Sequence, residues 1–273
     1  MIVDQIEKKI QYLKKNKYQL PIKEILSQTF SLFTKTLFLG IFSVLFTSSV
    51  LVLVYQFFTS YFDLADLDGT IYQSYIVLLN TFAKGDIVKS QEALMGTRNL
   101  LFSYLSNFCV MQRFIILIFS KIIIFPLSAG VVYCAYKKDT VGLATFKDLI
   151  QNFEGRRFLN LVILGVIYYI AIAISIVFFY LPMLIFSPFL YLAGAFIAIN
   201  NISLGKALKY SIQIAKINYG KMLMISLLSF VLSTIIGQLF GFMLLYALSV
   251  PYTLVMVYVV YKNILGTDII NNE

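Results

Sequence analysis

The sequence predicts an all-α, polytopic membrane bundle of six transmembrane helices, arranged as three pseudo-repeats. Three observations lead to this prediction: the composition, a set of long apolar stretches, and a helical pattern that recurs. Of the 273 residues, 60% are apolar and 13% are charged, and the mean hydropathy is +0.85. Soluble domains are about 45–50% apolar and about 25% charged. This composition excludes an ordinary soluble enzyme, a disordered chain and a disulfide scaffold.

Six stretches approach the length of about 20 apolar residues that a transmembrane helix needs. They are Leu37–Phe58, Phe114–Tyr136, Phe158–Phe179, Pro182–Ile199, Met222–Gly237 and Phe242–Tyr261. A short turn near residues 238–241 joins the last two. Because these two share a short length of chain, a re-entrant hairpin is the alternative interpretation for the pair.

The distribution of basic residues predicts the orientation of the bundle. Seventeen of the 22 Lys and Arg residues lie in four segments, which are 1–35, 137–157, 201–221 and 262–273. Loops rich in Lys and Arg remain on the cytoplasmic side of a membrane. We therefore expect both termini to lie in the cytoplasm. The prediction divides the chain into a basic N-terminal helix (1–21), a single membrane domain (22–265) with one extracytoplasmic loop (59–113), and a tail (266–273).

An amphipathic helix is predicted before each odd-numbered span. Residues 22–33, 146–153 and 204–215 place apolar side chains at i, i+3 and i+4, with Thr29, Phe153 or Ser211 at i+7, which is the spacing of one helical face. Thr145 and Asp148 have the spacing of a capping box for the second of these helices. Ser203 is a candidate cap for the third. The helices either lie in the membrane interface or dock on the cytoplasmic domain of a partner.

Each even-numbered span carries an interior proline, and these are Pro126, Pro188 and Pro251. The distance from each proline to the next polar boundary is 11 or 12 residues, which places all three near the middle of the bilayer. Proline removes a backbone donor and kinks a helix. Each repeat is therefore predicted to contain an amphipathic cytoplasmic helix, a straight span and a proline-kinked span.

These features resemble those of a known family. The helix that starts at Ser203, the segment from Pro126 to Gly130, the motif from Thr145 to Ile150, and the ending from Pro251 to Tyr261 are similar to YciC-like bacterial inner-membrane proteins. That family is related to the membrane domain of some glycerophosphodiester phosphodiesterases. The resemblance implies a six-span protein of the bacterial inner membrane, and no catalytic residues can be carried over from it.

Lys121 is the most informative single residue, because it lies inside the second predicted span, five residues before Pro126. Intramembrane cations usually have a function. One interpretation is that Lys121 binds an anionic group from a lipid or a substrate. The other is that its long side chain extends to the outer interface.

Basic residues on the cytoplasmic side have the character of a headgroup-binding surface. Near an anionic membrane each Lys or Arg contributes about 1 kcal/mol of attraction. The candidate residues for binding an anionic group are Lys121, Arg156, Arg157, Lys206 and Lys209. The requirements of membrane topology alone could also account for the cytoplasmic charges. Because the charges are divided among segments that flank the membrane, we expect no nucleic-acid partner.

Other motifs predict no catalysis. The chain has no His, and its two cysteines, Cys109 and Cys134, are far apart. We therefore expect no metal, no cofactor and no enzymatic activity. The acidic run from Asp63 to Gly69 fails the ligand spacing of a calcium loop and is predicted to be a solvated turn.

The leading functional prediction is a non-enzymatic membrane protein that interacts with lipids or organises a membrane-protein partner. We expect such a protein to act passively: the proline-kinked spans leave a cleft in the middle of the membrane, and the basic cytoplasmic helices hold lipid headgroups. The alternative is a transporter, or a permease subunit of a larger complex.

Overall fold

The computed structural model describes residues 2–177, 181–236 and 243–266. All regular secondary structure within these ranges is helical, which confirms the all-α prediction. The helices are α1 (Ile2–Asn16), α2 (Ile22–Tyr61), α3 (Ala65–Ala83), α4 (Ile87–Ser106), α5 (Phe108–Thr140), α6 (Phe146–Ile150), α7 (Gly155–Val177), α8 (Leu181–Leu190), α9 (Ala193–Asn200), α10 (Leu204–Ile217), α11 (Tyr219–Phe230) and α12 (Met243–Leu265). A 3₁₀ turn follows α6 at Gln151–Phe153, and a π-helical segment follows α11 at Val231–Ile236.

Five helical segments in the described residues are long and apolar enough to cross a membrane. They are Ile22–Tyr61, Phe108–Thr140, Gly155–Ile172, Pro182–Asn200 and Leu245–Leu265. The count rises to six if α10 and the helix after it, which are bent by 111° at their junction, form one broken span. The predicted fifth span does not qualify alone, because α11 has 12 residues before it becomes π-helical. The predicted turn at 238–241 lies outside the described residues.

The first amphipathic stretch is not a separate helix, contrary to the sequence-based prediction. Residues 22–33 form the start of α2, a continuous helix of 40 residues. Pro21 precedes its first turn, where proline is well tolerated. No proline follows inside the helix, so propagation, which is favourable once a helix has nucleated, continues into the first span.

The other two amphipathic stretches form the short helix α6 and the longer helix α10. At α6 the predicted capping box is confirmed, because Thr145 Oγ1 accepts from Asp148 N (3.4 Å) and Asp148 Oδ2 accepts from Thr145 N (2.8 Å). Ser203 occupies the N-cap position of α10, but its side chain makes no capping hydrogen bond. The apolar face of α10, including Tyr210 and Ile214, is buried in the protein core.

The chain forms two compact units. One unit consists of residues 1–47 and 122–273, and the other of residues 48–121. In the larger unit α9 and α12 are the centre of the core, since α9 is almost completely buried and Tyr258 and Tyr261 of α12 have no exposed surface. The N-terminal helix α1 joins this core: the Tyr210 hydroxyl donates to Glu7 Oε1 (2.8 Å).

Two glycines allow close contacts between elements of the larger unit. A Cβ atom on Gly40 of α2 would lie 2.6 Å from Cβ of Pro251 in α12. A Cβ atom on Gly130 of α5 would lie 2.0 Å from the carbonyl oxygen of Leu149 in α6. Because only a residue without Cβ fits at either distance, these positions set how closely the helices approach.

In the unit formed by residues 48–121, the helices α3 and α4 pack against each other as a pair. Asp86 caps α4 through a hydrogen bond from Lys89 N to Asp86 Oδ1 (3.1 Å). A small buried cluster is formed by Leu64, Tyr104 and Val110. The predicted loop 59–113 is therefore helical over most of its length.

Candidate anion-binding site

The five basic residues predicted to bind an anion differ in their surroundings. Lys206 and Lys209 are exposed on α10, and Arg156 is exposed in the first turn of α7. Lys121 is exposed on α5 and belongs to the unit formed by residues 48–121. Arg157 is half-buried and contacts an aromatic ring.

That ring belongs to Tyr133 of α5 and lies next to two cations. The Arg157 guanidinium carbon is 5.7 Å from the ring centroid, and the Lys137 ammonium nitrogen is 5.6 Å from it. The same ammonium is 6.0 Å from the Tyr136 ring. Both distances to Tyr133 fall within the range of attractive cation–π contacts. Tyr133 is only 2% exposed, so both cations lie next to a buried ring. We call Tyr133, Lys137 and Arg157 the cation–tyrosine cluster.

Local structure explains why the cluster forms. Lys137 follows Tyr133 by four residues, so the two side chains lie on one face of α5. Arg157 is placed by the start of α7, which begins at Gly155. Gly155 has a φ of +55°, a conformation that favours glycine, and it allows the chain to turn into α7 directly after the 3₁₀ segment.

Unpaired polar atoms lie close to Arg157 in sequence. Within the described residues, Arg157 Nε, Asn160 Nδ2 and both polar side-chain atoms of Asn152 are buried without a hydrogen-bond partner. Asn160 is one helical turn after Arg157 on α7, and Asn152 is in the preceding 3₁₀ segment. Buried polar groups are normally paired with protein or ordered water. This part of the larger unit therefore retains unused hydrogen-bonding capacity.

Of the acidic residues nearest in sequence, Glu154 is exposed three residues before Arg157, whereas Asp139 and Asp148 have hydrogen-bond partners, and the charge of Asp148 also acts on Lys137. The Asp148 carboxylate accepts from Thr145 in the capping box. Asp139 accepts from the Tyr258 hydroxyl (2.7 Å) and forms an ion pair with Lys262 (2.7 Å). Two like charges near one ring repel each other, and a nearby anion would offset that repulsion. Each of the two cations can donate charge-assisted hydrogen bonds to a phosphate or carboxylate.

The three candidate kink prolines lie inside helices. The helices α5 and α12 continue through Pro126 and Pro251. Pro188 lies in α8, and the helix is interrupted after Leu190 by a turn at Tyr191 and Leu192. Pro251 also provides the surface that Gly40 approaches. Bending at the three prolines stays a prediction.

An ion pair between the buried Arg113 and the half-buried Asp68 was not predicted from the sequence. Asp68, predicted to lie in a solvated turn, is in helix α3 and binds Arg113 of α5, with Nη1–Oδ2 and Nη2–Oδ1 distances of 2.7 and 2.8 Å. Arg113 is only 1% exposed, and it also donates to Thr59 Oγ1 (2.8 Å) and to the Tyr104 hydroxyl. The sequence did not predict this ion pair because Asp68 and Arg113 are 45 residues apart, beyond the reach of any local spacing rule.

The environment of Asp68 favours its charged form. Partial burial raises the pKa of the carboxyl, but hydrogen bonds from Arg113, Tyr104 and Tyr55 outweigh this effect and lower the pKa to about 2. The Tyr104 hydroxyl donates to Asp68 Oδ1 (2.5 Å), and burial followed by this hydrogen bond raises the pKa of Tyr104 to about 12. Both groups therefore keep a fixed protonation state near neutral pH.

Fold and composition together define a broad class: an all-α protein whose five to six apolar helices are compatible with multiple passes through a membrane. Comparison with protein-family models, with curated proteins and with solved structures gives no match to the chain.

Proposed function

We propose that this protein is a non-enzymatic, multi-pass membrane protein that binds anionic lipid headgroups. The observation that supports the proposal best is the cation–tyrosine cluster, in which Lys137 and Arg157 both lie within 6 Å of the Tyr133 ring centroid. In this proposal the headgroup phosphate binds between the ammonium and the guanidinium, and the buried ring fixes both side chains.

Charge placement supports the same proposal. Lys137 and Arg157 are the first and last residues of the segment 137–157, which has five basic and three acidic residues, and the segment 201–221 has four basic and no acidic residues. We place both segments and both termini on the cytoplasmic side of a bacterial inner membrane, because positive residues remain on that side. Anionic headgroups and the cluster would then meet at one interface. A YciC-like family membership is part of this proposal.

Lipid retention measures the proposed binding directly. The purified chain is placed in nanodiscs of equal parts phosphatidylglycerol and phosphatidylcholine. Native mass spectrometry then identifies the lipids that remain bound after the protein is released from the nanodisc. The wild type is expected to retain phosphatidylglycerol in preference to phosphatidylcholine. The double substitution Lys137→Gln and Arg157→Gln should weaken this binding by more than about thirtyfold, which is the loss expected from removing the general surface attraction of two cations at about 1 kcal/mol each.

A matched control changes the net charge by the same amount. Lys206→Gln with Lys209→Gln removes two exposed cations from α10, so it should lose only the general attraction to the membrane surface and retain more of the lipid preference than the cluster variant does. Equal losses in the two double variants would show a general charge effect and contradict a site at the cluster. A wild type without preference for the anionic lipid would also contradict the proposal.

A further inference from the structure

The unit formed by residues 48–121 carries a groove of about 370 Å³ between α2 and α5. One wall is formed by Leu51, Val52 and Tyr55, and the other runs from Phe114 to Lys121. All of these side chains are exposed or half-buried, so the groove is accessible to a ligand. Small-molecule sites of this size are mostly apolar, with few polar groups that fix the ligand.

Lys121 is the one charged residue that lines this groove. Residues 36–62 contain no Asp, Glu, Lys or Arg, and Lys121 is the only such residue in 114–136. Among the ion pairs of the described residues, none involves Lys121. A cation among apolar side chains is unfavourable without a counter-ion. The groove therefore combines an apolar wall with an unmatched positive charge, which is complementary to an apolar anion.

Tyr55 limits the groove at the end opposite Lys121, and its position is fixed. The Arg113 guanidinium carbon lies 4.5 Å from the Tyr55 ring centroid. The Tyr55 hydroxyl donates to Asp68 Oδ2 (2.7 Å). Because its hydroxyl is engaged with Asp68, Tyr55 contributes mainly ring surface to the groove. From Phe114 to Lys121 the wall rises about 10 Å along the helix, at about 1.5 Å per residue.

We propose that this groove binds a single-chain aliphatic carboxylate, with the chain along the apolar wall and the carboxylate on Lys121 Nζ. One chain fits because each wall is a single stripe from one helix. The carboxylate is assigned to Lys121 because Lys121 is the one charged residue that lines the groove. This site is separate from the cation–tyrosine cluster and goes beyond the proposed function.

The test uses laurate as the probe and lauryl alcohol as its uncharged counterpart. The purified full chain in neutral detergent is incubated with equal concentrations of both, and native mass spectrometry counts the bound molecules. The wild type should retain laurate in preference to the alcohol. Lys121→Met should weaken laurate binding about tenfold, the effect of losing about 1.4 kcal/mol from a charged hydrogen bond. Lys121→Arg should retain most of the binding.

Further variants distinguish laurate binding in the groove from binding elsewhere on the protein. Val52→Phe fills the groove and should weaken laurate binding, whereas Lys84→Met, which removes an exposed cation outside the groove, should not. The proposal is overturned if laurate and the alcohol bind equally, if Lys121→Met binds laurate as the wild type does, or if Val52→Phe has no effect. The variant that carries Lys137→Gln and Arg157→Gln should bind laurate normally, so failure here is distinguishable from failure of the proposed function.

Discussion

Asp68 and Arg113 form a two-pronged ion pair that joins α3 to the start of α5. Arg113 is almost completely buried, and Tyr55 and Tyr104 both donate to the Asp68 carboxylate. This network fixes the relative positions of α2, α3, α4 and α5 within the unit formed by residues 48–121. It also fixes Tyr55, which lines the same groove as Lys121.

Removing the charge of Asp68 should destabilise this unit strongly. In Asp68→Asn the Arg113 guanidinium stays buried without its counter-ion, and breaking such a pair costs about 3–5 kcal/mol. Hydrogen–deuterium exchange should report faster exchange in α3 and α4. Asp66→Asn alters an exposed residue of the same helix and should leave the exchange unchanged. If α3 and α4 were as protected from exchange in Asp68→Asn as in the wild type, the ion pair would contribute little to the stability of this unit.

The same pair predicts a pH dependence at acidic pH. The pKa of Asp68 is lowered from 3.8 to about 2, so its ion pair contributes stability that is complete above about pH 4. This contribution is lost as the pH falls from about 4 to about 2, when the folded protein takes up the proton. The difference in thermal unfolding temperature between the wild type and Asp68→Asn should therefore shrink over this interval. If the difference in unfolding temperature stayed constant over this interval, protonation of Asp68 would not account for the loss of the ion pair's contribution.

Alanine at the two glycine contacts should push helices apart. We expect Gly130→Ala and Gly40→Ala each to lower the free energy of unfolding by about 1–3 kcal/mol, as overpacking does. Gly130→Ala should be the more severe, because its Cβ would meet the backbone oxygen of Leu149. Gly205→Ala in α10 meets nothing within 4 Å and should be neutral or slightly stabilising. Denaturant unfolding in detergent measures all three variants, and equal stability among them would show that the two close contacts do not require glycine.

The orientation assigned from charge is measurable with engineered cysteines. In a chain without Cys109 and Cys134, Lys206→Cys should react with an impermeant maleimide only after the membrane is opened. Lys89→Cys, an exposed position in the predicted extracytoplasmic segment, should react in intact cells. The opposite pattern would reverse the topology and would place the cation–tyrosine cluster on the outer side.

Local sequence patterns predicted much of the helical architecture. Apolar stretches marked five of the spans, and the spacing of Thr145 and Asp148 predicted a capping box that is present. These signals are readable because they depend on residues a few positions apart. The continuity of α2 was not predicted, because the change from an amphipathic to an apolar pattern suggested a boundary where the backbone has none.

The candidate sites were predictable only in part. Arg157 and Lys121 were selected as anion-binding residues, but nothing in their spacing indicated that Arg157 lies beside Tyr133 or that Lys121 lines a groove with Tyr55. These pairings arise from packing between distant segments, and a single sequence carries no signal for them.

The most direct test of headgroup binding is a structure determined in nanodiscs that contain phosphatidylglycerol. We expect headgroup phosphate density between the Lys137 ammonium and the Arg157 guanidinium, next to the Tyr133 ring. The density should be absent when both cations are replaced by glutamine. A cluster without lipid in the wild type, or headgroup density only at exposed cations such as Lys206 and Lys209, would contradict a headgroup site at the cation–tyrosine cluster.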